Sequence, residues 1–119
     1  MAITALGKLL RQHRIANGEV MKELAEAVGV SSAYLSAVEH GKKAASDKLL
    51  SGVASHYHLD ESAQEEIKYA SELSQPLVSI SLSDAEEEER LLAVSFARKF
   101  KGLESSEKKQ LLKLLNGDQ

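Results

Sequence analysis

Small polar residues cluster at the start of a short helical pattern in the N-terminal half of the chain. Ser31, Ser32 and Ala33 begin this pattern, and Ser36 follows one turn later. The short pattern before it ends at Gly29, which can supply the turn between two helices. A slim, polar first turn lets side chains and backbone N–H groups approach base edges and phosphates in a DNA major groove. The spacing therefore predicts two short helices, of which the second enters DNA.

The elements that must position this pair follow from apolar spacing and from capping residues. Gly18, Gly29 and Gly41 interrupt the pattern, and the single proline, Pro76, ends it. We predict five helices, at 4–17, 20–28, 32–39, from Ser46 to about Tyr57, and 61–74. In the fifth helix, the residues expected to face inward are Ala63, Ile67, Ala70 and Leu73.

The pattern changes after Pro76. From Leu77 to Ser83, Val, Ile and Leu alternate with Ser, which predicts a half-buried β-strand. A long helix from Ser83 to about Phe100 and a last helix capped by Ser105 or Ser106 are expected to follow. The expected fold is mainly α: a five-helix DNA-binding domain over 1–75, then a short strand and two helices over 76–119.

The predicted strand has no obvious partner within the chain. We expect it to pair with the same strand of a second copy about a two-fold axis, covered by the helices that follow. This makes 76–119 a dimerisation region, and a homodimer the expected assembly. Its apolar residues would be Val78, Ile80, Leu82, Leu92, Phe96, Phe100, Leu111 and Leu115.

Composition excludes several classes of function. The 119 residues contain no Cys, which rules out disulfides and Cys-ligated metals, and no apolar run approaches the ~20 residues of a membrane span. His56 and His58 point to different helix faces, so no metal site is expected. No nucleophile–base set, paired carboxylates or phosphate loop appears, so we expect neither an enzyme nor a cofactor.

The net charge of −3 is unevenly distributed. Residues 1–59 hold seven Lys/Arg and five Asp/Glu, whereas residues 60–119 hold eight and thirteen. The half with the predicted helix pair is therefore mildly basic, and the other half is acidic. Phosphate binding depends on local patches, so double-stranded DNA remains the expected partner.

A set of positions in the N-terminal half resembles the Xre/Cro-type helix-turn-helix family of phage repressors and their bacterial relatives. The resemblance covers about residues 4–59 and implies a lambda-repressor-like fold in a cytoplasmic protein, bacterial or phage-encoded. As a set, the matching positions are specific. They are Leu10, Arg11, Arg14, Leu24, Ala25, Val28–Ser31, Tyr34–Ser36 and Glu39–Lys42.

The resemblance also implies roles for individual residues. Arg14 would pair with Glu39, tying the first helix to the third. The base-reading positions would be Ser31, Ser32, Ala33, Ser36 and Ala37. The phosphate-contacting positions would be Met21, Lys22, Tyr34, His40, Lys42 and Lys43.

This chain departs from the family at the second helix. Val20 and Met21 stand where the family usually has a Ser or Thr cap and a Gln, so backbone N–H groups alone must meet the phosphate there. The third helix also lacks Arg, Gln and Asn, the side chains that make bidentate hydrogen bonds to bases.

Three functions are compatible with these residues. A dimeric repressor of a phage, plasmid or mobile-element promoter would bind a palindromic operator. An antitoxin would use the same DNA-binding half, with its acidic half on a toxin. An adaptor with a degenerate helix-turn-helix would bind protein instead of DNA.

Overall fold

A computed structural model describes residues 2–117 of the chain. The chain divides into two compact units: an N-terminal unit ending at Val78 and a C-terminal unit beginning at Ser79. In the described range, no helix combines the length and apolar character that crossing a membrane requires. The helices are α1 (Ala5–Ala16), α2 (Met21–Val28), α3 (Ser32–Glu39), α4 (Asp47–His56), α5 (Glu61–Ser74), α6 (Glu87–Lys99), a 3-10 turn (Phe100–Gly102) and α7 (Ser105–Asn116).

The five helices predicted for the N-terminal unit are confirmed, together with three of their caps. Ser31, Ser46 and Asp60 each accept a hydrogen bond from the backbone N–H three residues further on, at 2.8–3.1 Å. Such caps satisfy N–H groups that have no partner inside the helix, and each is worth about 1 kcal/mol.

One apolar core holds the N-terminal unit together, and all five of its helices contribute to it. Because these side chains are buried, replacing one of the leucines with Ala would cost about 2–5 kcal/mol. The buried apolar residues are Leu6, Leu10, Leu24, Ala25, Val28, Leu35, Val38, Leu49, Val53, Ile67 and Ala70.

Two glycines allow helices to approach closely in this core. A Cβ on Gly52 would lie 2.9 Å from Cβ of Val28, so α2 and α4 pack closely at a position that has no room for a side chain. A Cβ on Gly7 would collide with the carbonyl oxygen of Glu39. The second contact brings the start of α1 against the end of α3.

The inward face of α5 differs from the prediction at its C-terminal end. Leu73, expected in the core, is exposed, and Ser74 is buried in its place. The Ser74 hydroxyl accepts a hydrogen bond from the backbone N–H of Leu6 (3.0 Å) and donates one to the carbonyl of Ala70 (2.6 Å). A polar residue lies inside because it satisfies a backbone donor at the start of α1.

The predicted strand over Leu77–Ser83 is wrong, because residues 2–117 contain no β-strand. A strand needs a second backbone to complete its ladder, whereas alternation of apolar residues reports only which side chains share a face. Val78 and Ile80 are both exposed. The segment is irregular in the described chain.

The next helix starts later than predicted, at Glu87 instead of Ser83. The Arg90 guanidinium donates to the carbonyl oxygens of Leu82 (2.6 Å) and Ala85 (3.2 Å), which holds the segment before α6 in a turn. The carboxylate of Glu89 accepts from the backbone N–H of Glu86, at 2.8 Å. No residue of α6 is buried.

The last helix begins at Ser105, but its cap is Glu104 and not a serine. The Glu107 carboxylate accepts from the Glu104 backbone N–H at 2.9 Å, so a carboxylate three residues along the helix closes its N-terminus. As in α6, no residue of α7 is buried.

Candidate nucleic-acid interface

The turn between α2 and α3 begins at Gly29, which ends α2 in the left-handed conformation with φ +76°. The backbone N–H of Val30 donates to the carbonyl of Ala25 at 3.0 Å, and Ser31 then caps α3. Ala25 is buried, and a larger side chain there would hold the two helices apart. These features produce a compact helix-turn-helix.

The first turn of α3 presents small side chains to solvent. Ser31, Ser32 and Ala33 are exposed, and Ser36 and Ala37 are half-buried one turn later. The opposite face of the helix carries Leu35 and Val38, which are buried in the core. The five positions that the resemblance assigns to base reading therefore lie at or near the exposed, slim edge of α3.

Arg14 and Glu39 form a bidentate ion pair between α1 and α3. Nη1 contacts Oε2, and Nη2 donates to Oε1 at 3.2 Å, with both side chains buried. The Glu39 carbonyl also accepts from the backbone N–H (3.0 Å) and the hydroxyl (2.9 Å) of Thr4. Side chain and backbone of one residue thus fix the end of α3 against α1.

The Tyr34 hydroxyl makes two hydrogen bonds within the protein. It donates to the carbonyl of Ala44 (2.9 Å) and accepts from the backbone N–H of Ser46 (3.0 Å). A hydroxyl has a single proton, so Tyr34 has none left to donate to a phosphate oxygen. In the structure, these two bonds of Tyr34 hold the loop between α3 and α4 in place.

The other positions expected at phosphates surround the helix-turn-helix. Lys22 is exposed near the start of α2, where the backbone N–H groups of the first turn have no partners in the helix. Met21, also expected at a phosphate, is half-buried at the same end. Lys42 and Lys43 are exposed in the loop after α3.

His40 is half-buried at the end of α3. Its Nδ1 lies 2.9 Å from the Ser36 carbonyl, which leaves Nε2 as the ring nitrogen for a phosphate. Lys48 is a further cation beside this surface that the sequence did not single out. Its ammonium donates to the Gly29 carbonyl at 3.1 Å, which joins α4 to the turn.

The sequence also gave no sign of a polar cluster that joins the loop after α1 to the end of α4. Glu19 accepts from the Tyr57 hydroxyl at 2.7 Å and lies 2.6 Å from His56 Nε2. The ring of His13 stacks on Tyr57, with centroids 4.9 Å apart. This cluster fixes the chain just before α2.

Two pKa values in this cluster depart from their ordinary values. The bond from Tyr57, followed by that with His56, lowers the pKa of Glu19 below its ordinary value of 4.5. Burial, followed by the bond to Glu19, raises the pKa of Tyr57. The pair is therefore an ionised carboxylate and a neutral phenol near neutral pH.

Comparison with known proteins agrees with this geometry. A family model described as a helix-turn-helix domain matches residues 5–67, more than half of the chain. The chain belongs to this family. Neither a curated protein nor a solved structure matches it. The match confirms the resemblance to Xre/Cro-type regulators and identifies a helix-turn-helix DNA-binding regulator.

Proposed function

We propose that this helix-turn-helix protein is a dimeric repressor that binds a palindromic operator in a phage, plasmid or mobile-element promoter. The observation that carries this proposal is the exposed small-residue edge of α3, oriented by the buried Arg14–Glu39 pair. A helix that is both slim and rigidly held suits insertion into a major groove.

Phosphate contacts would fix the position of α3 on the duplex. The exposed Lys22, Lys42 and Lys43 lie in the segments on either side of α3 in the sequence. Such contacts supply affinity without sequence information, and they weaken as salt rises. With so few cations, non-specific binding should be weak, and its salt dependence should be shallow because few counterions are released.

Sequence preference would come from small groups. Ser31, Ser32 and Ser36 can exchange hydrogen bonds with base edges, and the methyl groups of Ala33 and Ala37 can contact thymine methyls. The helix has no long bidentate side chain, so one α3 discriminates weakly. Two copies of α3, about one DNA turn (~34 Å) apart, would add their contributions on an inverted repeat.

The C-terminal unit supports a dimer because it lacks a core of its own. None of the described residues from Ser79 onwards is buried, and α6 and α7 expose large apolar side chains. Soluble chains cover such surfaces with a second protein surface. A repressor needs that contact to join two DNA-binding units.

Selection from a random DNA pool with the intact chain, followed by titration of the selected DNA, tests the proposal. We expect an inverted repeat to be enriched. Ser32→Glu introduces a negative charge at the exposed edge of α3 that enters the groove of the polyanionic duplex, and should weaken binding at least tenfold. Ser62→Glu makes the same change at an exposed position of α5 and should leave binding unchanged.

The two variants separate recognition by α3 from general charge effects. If no sequence is enriched over random DNA at any salt concentration, the chain is not a sequence-specific regulator. An equal loss for both variants would show that α3 is not the contacting element.

A further inference from the structure

Helix α6 carries an apolar stripe that the described chain does not cover. Leu92 and Phe96 of α6, and Phe100 at the start of the 3-10 turn that follows it, lie at intervals of four residues and remain 71%, 37% and 55% exposed. The rings of Phe96 and Phe100 contact each other, with centroids 5.5 Å apart. An exposed stripe of three large side chains along a helix and the turn that ends it indicates a contact surface for another protein.

The charges of α6 are separated along its axis. Its first turn contains Glu87, Glu88 and Glu89, and its last turn contains Arg98 and Lys99. Glu89 accepts from the backbone at the start of the helix, which occupies its carboxylate locally. Within residues 2–117, Glu88 and Lys99 form no hydrogen bond or ion pair with another side chain.

Glu88 and Lys99 lie on the same flank of the stripe. They are eleven positions apart, and eleven residues make about three helical turns, so the two side chains point in nearly the same direction. Leu92 and Phe96 lie between them along the axis. The flank is acidic at one end and basic at the other.

We propose that α6 pairs antiparallel with α6 of a second copy, about a two-fold axis that passes between Leu92 and Phe96. This inference rests on the dimer in the proposed function and specifies its contact. In an antiparallel pair related by a two-fold axis, equivalent flanks face each other. Glu88 then meets the partner subunit's Lys99, and Lys99 meets the partner subunit's Glu88.

The charge order favours this arrangement over its alternatives. Parallel pairing would bring like charges together at both ends of the helix, which is destabilising. When a second copy lies antiparallel, its acidic end faces the basic end of the first copy. The flank is therefore complementary in charge to itself. At the centre, Leu92 packs on the partner subunit's Phe96, which excludes water from the stripe.

Sedimentation of the full chain without DNA tests the pairing. Glu88→Lys should raise the dimer dissociation constant about tenfold at low salt, because two attractive pairs become repulsive. Lys99→Glu should do the same. The double variant E88K/K99E should restore dimerisation close to that of the wild type, because it exchanges the charges without changing their order.

Glu87→Lys is the matched control. It makes the same charge change one residue away, which places it about 100° around the helix and off this flank. Circular dichroism should show that all four variants stay helical. A dimer that responds equally to E87K and E88K, or a double variant no better than either single variant, would overturn the antiparallel contact.

A chain that is monomeric at all concentrations would overturn the contact together with the dimer. Since DNA is absent from this measurement, its result is independent of whether α3 recognises an operator.

Discussion

At the scale of single residues, Glu39 connects most of the features that position α3. Its carboxylate pairs with Arg14, its carbonyl accepts two bonds from Thr4, and Gly7 packs on the same carbonyl. A glutamate is tolerated in the core because every one of these groups has a partner. Removing one partner would leave a buried charge uncompensated.

We predict that Arg14→Met destabilises the chain by about 3–5 kcal/mol, measured by urea unfolding, because it leaves the Glu39 carboxylate unpaired. The double variant R14M/E39M should recover much of this loss, because the charges are removed together and apolar side chains fill the space. DNA affinity should fall in the single variant, since α3 loses its anchor to α1.

Arg11→Met provides the comparison, because Arg11 is exposed on the same helix. Its unfolding free energy should change by less than about 0.5 kcal/mol. If Arg14→Met changed neither stability nor DNA affinity, the pair would have no structural role.

At the scale of elements, the Glu19 cluster holds the start of α2 to the end of α4. The N-cap of α2 is Val20, whose side chain makes no capping hydrogen bond. The backbone N–H of Val20 is still satisfied, because the Glu23 carboxylate accepts from it at 2.9 Å. The start of α2 therefore depends on side chains from the loop after α1, from α2 itself and from the end of α4.

This cluster predicts a pH dependence of stability. Because folding lowers the pKa of Glu19, its contribution is fully present above the ordinary value of 4.5 and is lost as the pH falls through the lower, folded-state value. Thermal unfolding followed from about pH 6 to about pH 3 should show a smaller acid-induced decrease in Tm for Glu19→Gln than for the wild type.

Glu26→Gln removes an exposed carboxylate from α2 and should keep the acid response of the wild type. A Glu19→Gln variant that loses Tm as steeply as the wild type would contradict the role of this carboxylate. Tyr57→Phe should weaken the acid response as well, since the Tyr57 hydroxyl is the main cause of the shift.

At the scale of the whole molecule, signals within a few residues predicted the fold well. Gly29, Ser31, Ser46 and Asp60 gave the ends of helices correctly because caps and turns act locally. The strand was wrong because alternation reports only which side chains share a face, and no second backbone pairs with this segment within residues 2–117. The helix caps at Glu86 and Glu104 were missed because carboxylates three residues later close them.

Contacts between side chains far apart in the sequence were predictable only through the resemblance to the Xre/Cro-type helix-turn-helix family. It suggested the Arg14–Glu39 pair, 25 positions apart. The Glu19–His56 contact, 37 positions apart, had no sequence signal. The two hydrogen bonds of the Tyr34 hydroxyl had no sequence signal either, because the position of Tyr34 on α3 favoured a contact with a DNA phosphate. Periodicity gives the face of a helix, whereas the partner of a polar side chain depends on the packing of whole helices.

The division of the chain into two units leads to a last prediction. All described buried residues belong to the N-terminal unit, so a fragment of residues 1–78 should fold alone. It should bind a half-site as the intact chain does. On the full inverted repeat it should bind about 100-fold more weakly, because linking two sites raises the effective concentration of the second to about millimolar.

Titration of both proteins against the palindrome and against a single half-site measures this difference. The fragment should gain little from the second half-site, whereas the intact chain should gain strongly. A fragment that prefers the palindrome as much as the intact chain does would place the dimer contact in the N-terminal unit. The surface on α6 would then be free for a different protein, as in the antitoxin alternative.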